Sequence, residues 1–411
     1  MRKERLIVPV VVALAVVWAV AQYLASLLFE RELVRALVDL EARGELVTER
    51  SEVERGWLGS SGVVHLSPVL GDGWRLELTY SARHGVFSTR VEGGFHPSIG
   101  PRQLHLFGDW LPSSPPSWHA SYQTLGGTLE GTIQLAPFLI SQGPRELDFR
   151  GGQLSFGGQQ GDWRLRARLQ PWRLTDGVAT LESGPVSLES RYAYTAGAHH
   201  FTQHDLLRID QLAWQQPGLA LEANELVYRS RMQLDDSELR IDSELTLAEV
   251  LAAEQVLLTG RVAMELSRIN ADGVREALAG LRREAAQTRE LSPRELLARL
   301  EPELRSTLVD SPRLDLTEVD LESPMLGIAA RGDGALFFDP RRLDELSLAR
   351  LDDEEERARW LSRLDGDGTW HEVPAVVALW LGLPLGTRDL ELDVIRGRVR
   401  VNGRPMPSLW R

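Results

Sequence analysis

Cysteine is missing from all 411 residues, which removes disulfides, a thiol nucleophile and cysteine-ligated zinc from consideration. Lysine occurs once, at Lys3, against 45 arginines, and asparagine only at Asn224, Asn270 and Asn402. That bias is what a GC-rich coding sequence produces, so the arginines are not read as selected one by one. No P-loop, no H-E-x-x-H and no dinucleotide fingerprint occurs in a strand–loop–helix setting. A basic excess is lacking too. The net charge is −13; Arg2, Lys3, Glu4 and Arg5 give the first 29 residues +2 and leave −15 on the remainder. An acidic body argues against nucleic acid, whose phosphates need a basic face.

What is present begins with Leu6–Phe29, 24 residues without a charge. As a helix this run spans about 36 Å at about 1.5 Å per residue, against a hydrocarbon core of about 30 Å. Residues 1–29 thus read as an uncleaved transmembrane signal anchor, with Leu6, Val12, Trp18 and Phe29 along its length. Pro9 sits in the first turn, where its missing N–H costs least. Arg2, Lys3 and Arg5 place the short tail in the cytoplasm and the body outside. A signal peptide cut at Ala19-Val20-Ala21, before Gln22, is the competing reading. Residues 30–50 follow as a juxtamembrane helix and linker, with Leu33, Leu37 and Leu40 at helical spacing.

The body reads as mainly β, an α+β chain with a large antiparallel, meander-like sheet and a helical insertion. Trp74, Leu76, Leu78 and Tyr80 alternate with polar residues, as do Trp163, Leu165, Ala167 and Leu169, and Leu239, Ile241, Leu245 and Leu247. Residues 51–271 form the β-rich part. Residues 272–311 are the helical insertion, with Asp272 as one cap and Ser292-Pro293 starting a second helix. Residues 312–411 resume strands, with a bulge near Thr317-Glu318, a charged helix at 352–364, an apolar one at 374–381, and tight turns at Arg396-Gly397 and Asn402-Gly403. Trp57, Trp74, Trp163 and Trp214 read as core.

Three clusters invite chemistry. Gly59-Ser60-Ser61-Gly62 with His65 holds a nucleophile and a base, but Val63-Val64 continue as a strand, where a hydrolase elbow needs a helix. The plainer reading is a turn shaped by Gly56 and Gly59 with Trp57 packed. His199, His200, His204 and Asp205 carry metal-ligand types, yet on a strand His200 and His204 stand about 13 Å apart. Asp365-Gly366-Asp367-Gly368 resembles the start of a calcium loop, but Val376 occupies the twelfth position, so a turn is expected. His84-Gly85 reads as a turn whose ring packs. No metal, no cofactor and no catalytic residue is assigned.

The basic-start anchor, "RGWLGSSGVVHL" at Arg55–Leu66, "RHGVF" at Arg83–Phe87 and "GRVRVNGRPM" at Gly397–Met406 together resemble the YdgA-type bacterial family, domain of unknown function 945. The motif residues are Arg55, Gly56, Trp57, Ser60, Ser61, His84, Gly85, Asn402 and Gly403. Val86 departs from the family phrase, which has proline there. The resemblance implies an inner-membrane-anchored protein with a β-rich periplasmic body, and brings no catalytic residues. The expected role is a non-enzymatic envelope binding or scaffold protein, with the membrane and an envelope protein or lipid as partners. The alternatives are a lipid-handling carrier with an apolar groove on a curved sheet, and an envelope hydrolase using Ser61 and His65.

Overall fold

The computed structural model describes residues 4–42, 46–68, 73–100, 104–108, 111, 114–195, 200–287, 293–384 and 386–406, with side chains of the first helix described from Val16. The chain opens with helix α1 (Glu4–Ala42). Strands β1 (Leu46–Arg55), β2 (Gly59–Pro68), β3 (Trp74–Arg83), β4 (Ser88–Ile99), β5 (Leu104–His105), β6 (Ser117–Gln123) and β7 (Thr128–Leu135) follow. Next come β8 (Phe138–Gln142), β9 (Arg145–Phe149), β10 (Gly152–Gln159), β11 (Asp162–Leu169), β12 (Trp172–Asp176), β13 (Ala179–Ser183) and β14 (Val186–Thr195). Four long strands, β15 (His200–Gln216), β16 (Leu219–Leu234), β17 (Glu238–Ala252) and β18 (Gln255–Asn270), lead into helices α2 (Ala271–Gln287) and α3 (Pro293–Ser306). The chain closes with β19 (Arg313–Ser323), β20 (Ile328–Phe338), α4 (Glu354–Leu361), β21 (Leu364–His371), α5 (Ala375–Trp380), β22 (Leu390–Ile395), β23 (Arg398–Val401) and β24 (Arg404–Pro405).

Two compact units result: unit 1, residues 1–140 and 150–168, and unit 2, residues 141–149 and 169–411. Unit 1 contains an antiparallel sheet in the order β1-β2-β3-β4-β6-β7-β10. One of its faces is apolar, carrying Val64, Leu66, Leu76, Leu78, Tyr80, Ala82, Val91, Trp118, Ala120, Tyr122, Leu129 and Phe156. Helix α1 lies on that face through Phe29, Leu33, Leu37 and Leu40, a stripe at the helical three-and-four spacing. Each large side chain buried there contributes about 1.5–3 kcal/mol.

This packing corrects the reading of the anchor's end. Phe29 is buried against Tyr122 and His84, and Gln22, Ala25 and Ser26 are buried with it. The apolar run therefore finishes in protein, because the sheet offers an apolar face in phase with it. Trp18 is exposed, while the side chains of Leu6 and Val12 lie outside the described residues. Among the described residues no helix is long and apolar enough to cross a membrane.

Unit 2 has its own antiparallel order, β9-β12-β13-β15-β16-β17-β18-β19-β20-β21-β22-β23-β24, with β14 beside the first half of β15. The register slips between Leu316 and Val319, the bulge expected near Thr317-Glu318. Asn270, not Asp272, caps α2: its side-chain oxygen accepts from Gly273 N at 2.7 Å, and Asp272 pairs with Arg275. The 365–368 glycine–aspartate run is not a turn. It lies inside β21, where Gly368 faces Gly334 and a Cβ on Gly366 would meet Ala335 and Leu336. At Arg396-Gly397 and Asn402-Gly403 all four residues have φ between 48° and 74°, as tight hairpin turns require.

Candidate functional site

The sequence motifs of unit 1 converge under α1, with different partners from those the sequence suggested. Ser61 and His65 stand on the same strand, about 13 Å apart at about 3.3 Å per residue, so no hydroxyl–imidazole contact forms. His65 Nε2 instead meets Ser51 Oγ at 3.0 Å. Ser60 alternates inward with Val64 and Leu66, and its Oγ lies 3.1 Å from His84 Nε2. His84 Nδ1 lies 3.3 Å from Thr89 Oγ1. Glu30 stands beside Ser60 and is gripped by Arg50 through both terminal guanidinium nitrogens at 2.9 and 3.1 Å. Arg55 reaches the same carboxylate at 3.3 Å. Arg50 continues to the Tyr80 hydroxyl.

Both imidazole nitrogens are satisfied if Thr89 donates to Nδ1 and Nε2–H donates to Ser60. Burial pushes His84 below the ordinary histidine range, with Glu30 acting the other way. Burial would raise the Glu30 carboxyl, but hydrogen bonds and charge from Arg50 hold it below its ordinary value. A catalytic serine triad places a carboxylate on the far nitrogen of the histidine. Here a threonine stands there, the carboxylate sits on the serine side, and Ser60, His84 and Thr89 are all buried. Gln22 Nε2 donates to the His84 carbonyl, completing a polar clamp between helix and sheet. The cluster fastens α1. Trp57 does not pack as expected but is exposed, as are Trp74 and Trp214; Trp57 flanks a strand and Trp74 begins one, while Trp214 lies within β15 opposite Leu181 and Leu221.

The reverse face of this sheet lines an open groove of about 1230 Å³ in which Arg83, Arg90, Arg164 and Arg166 mix with Glu92, Glu130 and Asp162. In unit 2, His200 pairs with Asp236 at 2.7 Å and His204 lies opposite Arg231, while His199 lies outside the described residues. No group of three metal-ligating side chains assembles among the described residues.

The most extensive feature is one face of unit 2. Strand register aligns Leu188, Leu207, Tyr228, Leu245, Val262 and Val319 across six strands. A parallel row runs Met232, Ile241, Leu266, Leu314 and Leu336, and a third runs Phe201, Leu234, Leu239 and Ile269. Between the first two, Asp205, Ser230 and Ser243 form a narrow polar strip that ends at Met264 and Leu316. The opposite face carries an ion ladder, Arg229–Glu244–Arg261–Glu318, with contacts of 2.8, 2.9 and 3.3 Å.

Helices cover the ends of the apolar face. The α2–α3 hairpin docks where Arg275 bonds the Asp235 carbonyl, α5 packs on Trp370, Leu390 and Val401, and Trp360 of α4 stacks on Phe338. The middle stays in solvent: Leu245 is 36%, Leu316 38% and Met264 40% exposed, although all three lie on interior strands.

Neither the curated proteins nor the solved structures offer a match to this chain. One family model does match, that of "Bacterial protein of unknown function (DUF945)", over residues 1–368. The match takes in Arg55–Leu66, Arg83–Phe87 and the long-stranded face, and stops short of the Asn402-Gly403 turn. With most of its length matched, the chain belongs to the DUF945 family of bacterial proteins.

Proposed function

We propose that this protein is a non-enzymatic, inner-membrane-tethered carrier that shelters the acyl chains of lipid on the open face of unit 2. The observation that carries the reading is the set of in-register apolar rows with an uncovered middle. An apolar patch of this extent is costly in water and marks an interaction surface. Extended strands give long parallel furrows between side-chain rows, which suit an acyl chain better than the compact pocket of a small polar ligand. The tether is the apolar run preceding Gln22, and Arg2, Lys3 and Arg5 favour a cytoplasmic tail with the body in the periplasm. The closed Ser60–His84 pair and the separated Ser61 and His65 favour a binding role over hydrolysis.

The test is native mass spectrometry of the full chain released from mild detergent, beside a Leu245→Glu/Met264→Glu/Leu316→Glu variant. These three side chains are partly exposed, and a far-UV circular-dichroism spectrum matching that of the wild type establishes that the variant is folded. Co-purified phospholipid on the wild type and its loss from the variant are expected. Equal lipid on both proteins would refute the reading.

A further inference from the structure

Antiparallel order brings four turns of unit 1 to one end of its sheet: a polar one, residues 160–161 between β10 and β11, and three neighbouring ones, residues 56–58 between β1 and β2, 84–87 between β3 and β4, and 124–127 between β6 and β7. These three touch one another, since His84 N donates to the Leu58 carbonyl at 2.8 Å and Thr124 N to the Phe87 carbonyl at 3.0 Å. Helix α1 enters the fold at this same end, where the Gln22 amide reaches the carbonyls of His84 and Trp57. The tips read Gly56-Trp57-Leu58-Gly59, Gly85-Val86-Phe87-Ser88 and Thr124-Leu125-Gly126-Gly127, without one charged residue. Their large side chains point away from the core: Leu125 is 86% and Phe87 71% exposed, and Trp57 and Leu58 are about half exposed. Trp18 and Tyr23 stand exposed on the adjoining turns of α1. Apolar residues concentrated on projecting turns, with no core to serve, require an apolar or interfacial surrounding.

The length of α1 identifies that surrounding. Gln22 is held in protein, so the free apolar run is Leu6–Ala21, 16 residues. As a helix it measures about 24 Å, some 6 Å less than a hydrocarbon core of about 30 Å. A span that short draws whatever is fixed to its end down against the bilayer, and a rigid attachment cannot yield as a linker would. Amphipathic elements seat their apolar groups about 5–10 Å into the interface, which matches the shortfall. Tryptophan and tyrosine are the side chains favoured at that depth.

We infer that the three hairpin tips of unit 1 sit in the headgroup layer of the membrane that α1 enters, making α1 a stiff mount that holds the sheet end-on to the bilayer. This inference rests on the tether reading above and adds the docking surface to it.

The cysteine-free chain allows a direct test on the full-length protein in nanodiscs of phosphatidylethanolamine and phosphatidylglycerol. Single Val16→Cys, Phe87→Cys, Leu125→Cys and Ile99→Cys variants carry an environment-sensitive fluorophore, with a quencher on the lipid. Ile99 is exposed at the opposite end of β4 and reports solvent. Several-fold stronger quenching at Val16, Phe87 and Leu125 than at Ile99 is expected. Quenching at Val16 with Phe87 and Leu125 matching Ile99 would overturn the docking surface and leave the tether intact. No quenching at Val16 would overturn the tether, and the docking surface with it.

Discussion

Ser60 and His84 show how a residue's partner decides its meaning. Both sit in phrases conspicuous in the sequence, and both are buried, bonded to each other and closed to substrate. His84→Ala would leave the hydroxyls of Ser60 and Thr89 buried without their partner and open a cavity beside Phe29. A loss of about 2–4 kcal/mol is expected in urea unfolding, with partial recovery in His84→Gln. Gly93 makes a second residue-scale prediction. A Cβ there would strike the Thr79 carbonyl and approach Trp118 Nε1 at 2.8 Å, so Gly93→Ala should destabilise unit 1 by at least about 1–3 kcal/mol. One part of this was legible beforehand: Ser60 is in phase with Val64 and Leu66, hence on the core side. Its partner was not, because the contact depends on the β2–β3 register, which sets Ser60 opposite Ala82 and beside His84.

At the scale of elements, helix α1 matters most. Its stripe was visible at Leu33, Leu37 and Leu40, and it runs back through Phe29, Ser26, Ala25 and Gln22. Gln22, a polar residue in phase with that stripe inside an apolar run, was the available signal that the run is already packed against protein there. Hydropathy alone merges a core helix and a membrane helix, since both are apolar. Phe29→Ala should cost about 3–5 kcal/mol and loosen α1 from the sheet, read as faster amide exchange over residues 25–41. Acid should weaken the same contact. His84 is depressed on folding, so its contribution is complete above about pH 6.5 and fades as pH falls. Glu30 is depressed as well, so its contribution is present above about pH 4.3 and is lost on further acidification. Thermal melts should therefore fall progressively from pH 7.5 to pH 4 and stay level from pH 7.5 to pH 9. A melting temperature rising toward pH 5 would contradict the assignment.

Across the whole molecule, charge and apolar surface are unevenly divided. Unit 1 holds 16 Lys and Arg against 15 Asp and Glu, while unit 2 holds 30 against 44, so the acidity read from composition resides in unit 2. The alternation of β17, with Leu239, Ile241, Leu245 and Leu247 on one side and Arg240, Asp242 and Glu244 on the other, made the two-faced sheet legible residue by residue. Openness was not, because a period of two names the apolar face and not what lies upon it. The helices assigned to residues 272–311 could have roofed the face; they close one end instead. The central claim, that lipid occupies this face, is tested most directly by placing a photoreactive phenylalanine at Leu245, Met264 or Leu316, and separately at Arg208 on the charged face, in living cells. Lipid adducts from the three apolar-face positions and none from Arg208 are expected; protein adducts alone at Leu245, Met264 and Leu316, or equal lipid labelling from both faces, would contradict it.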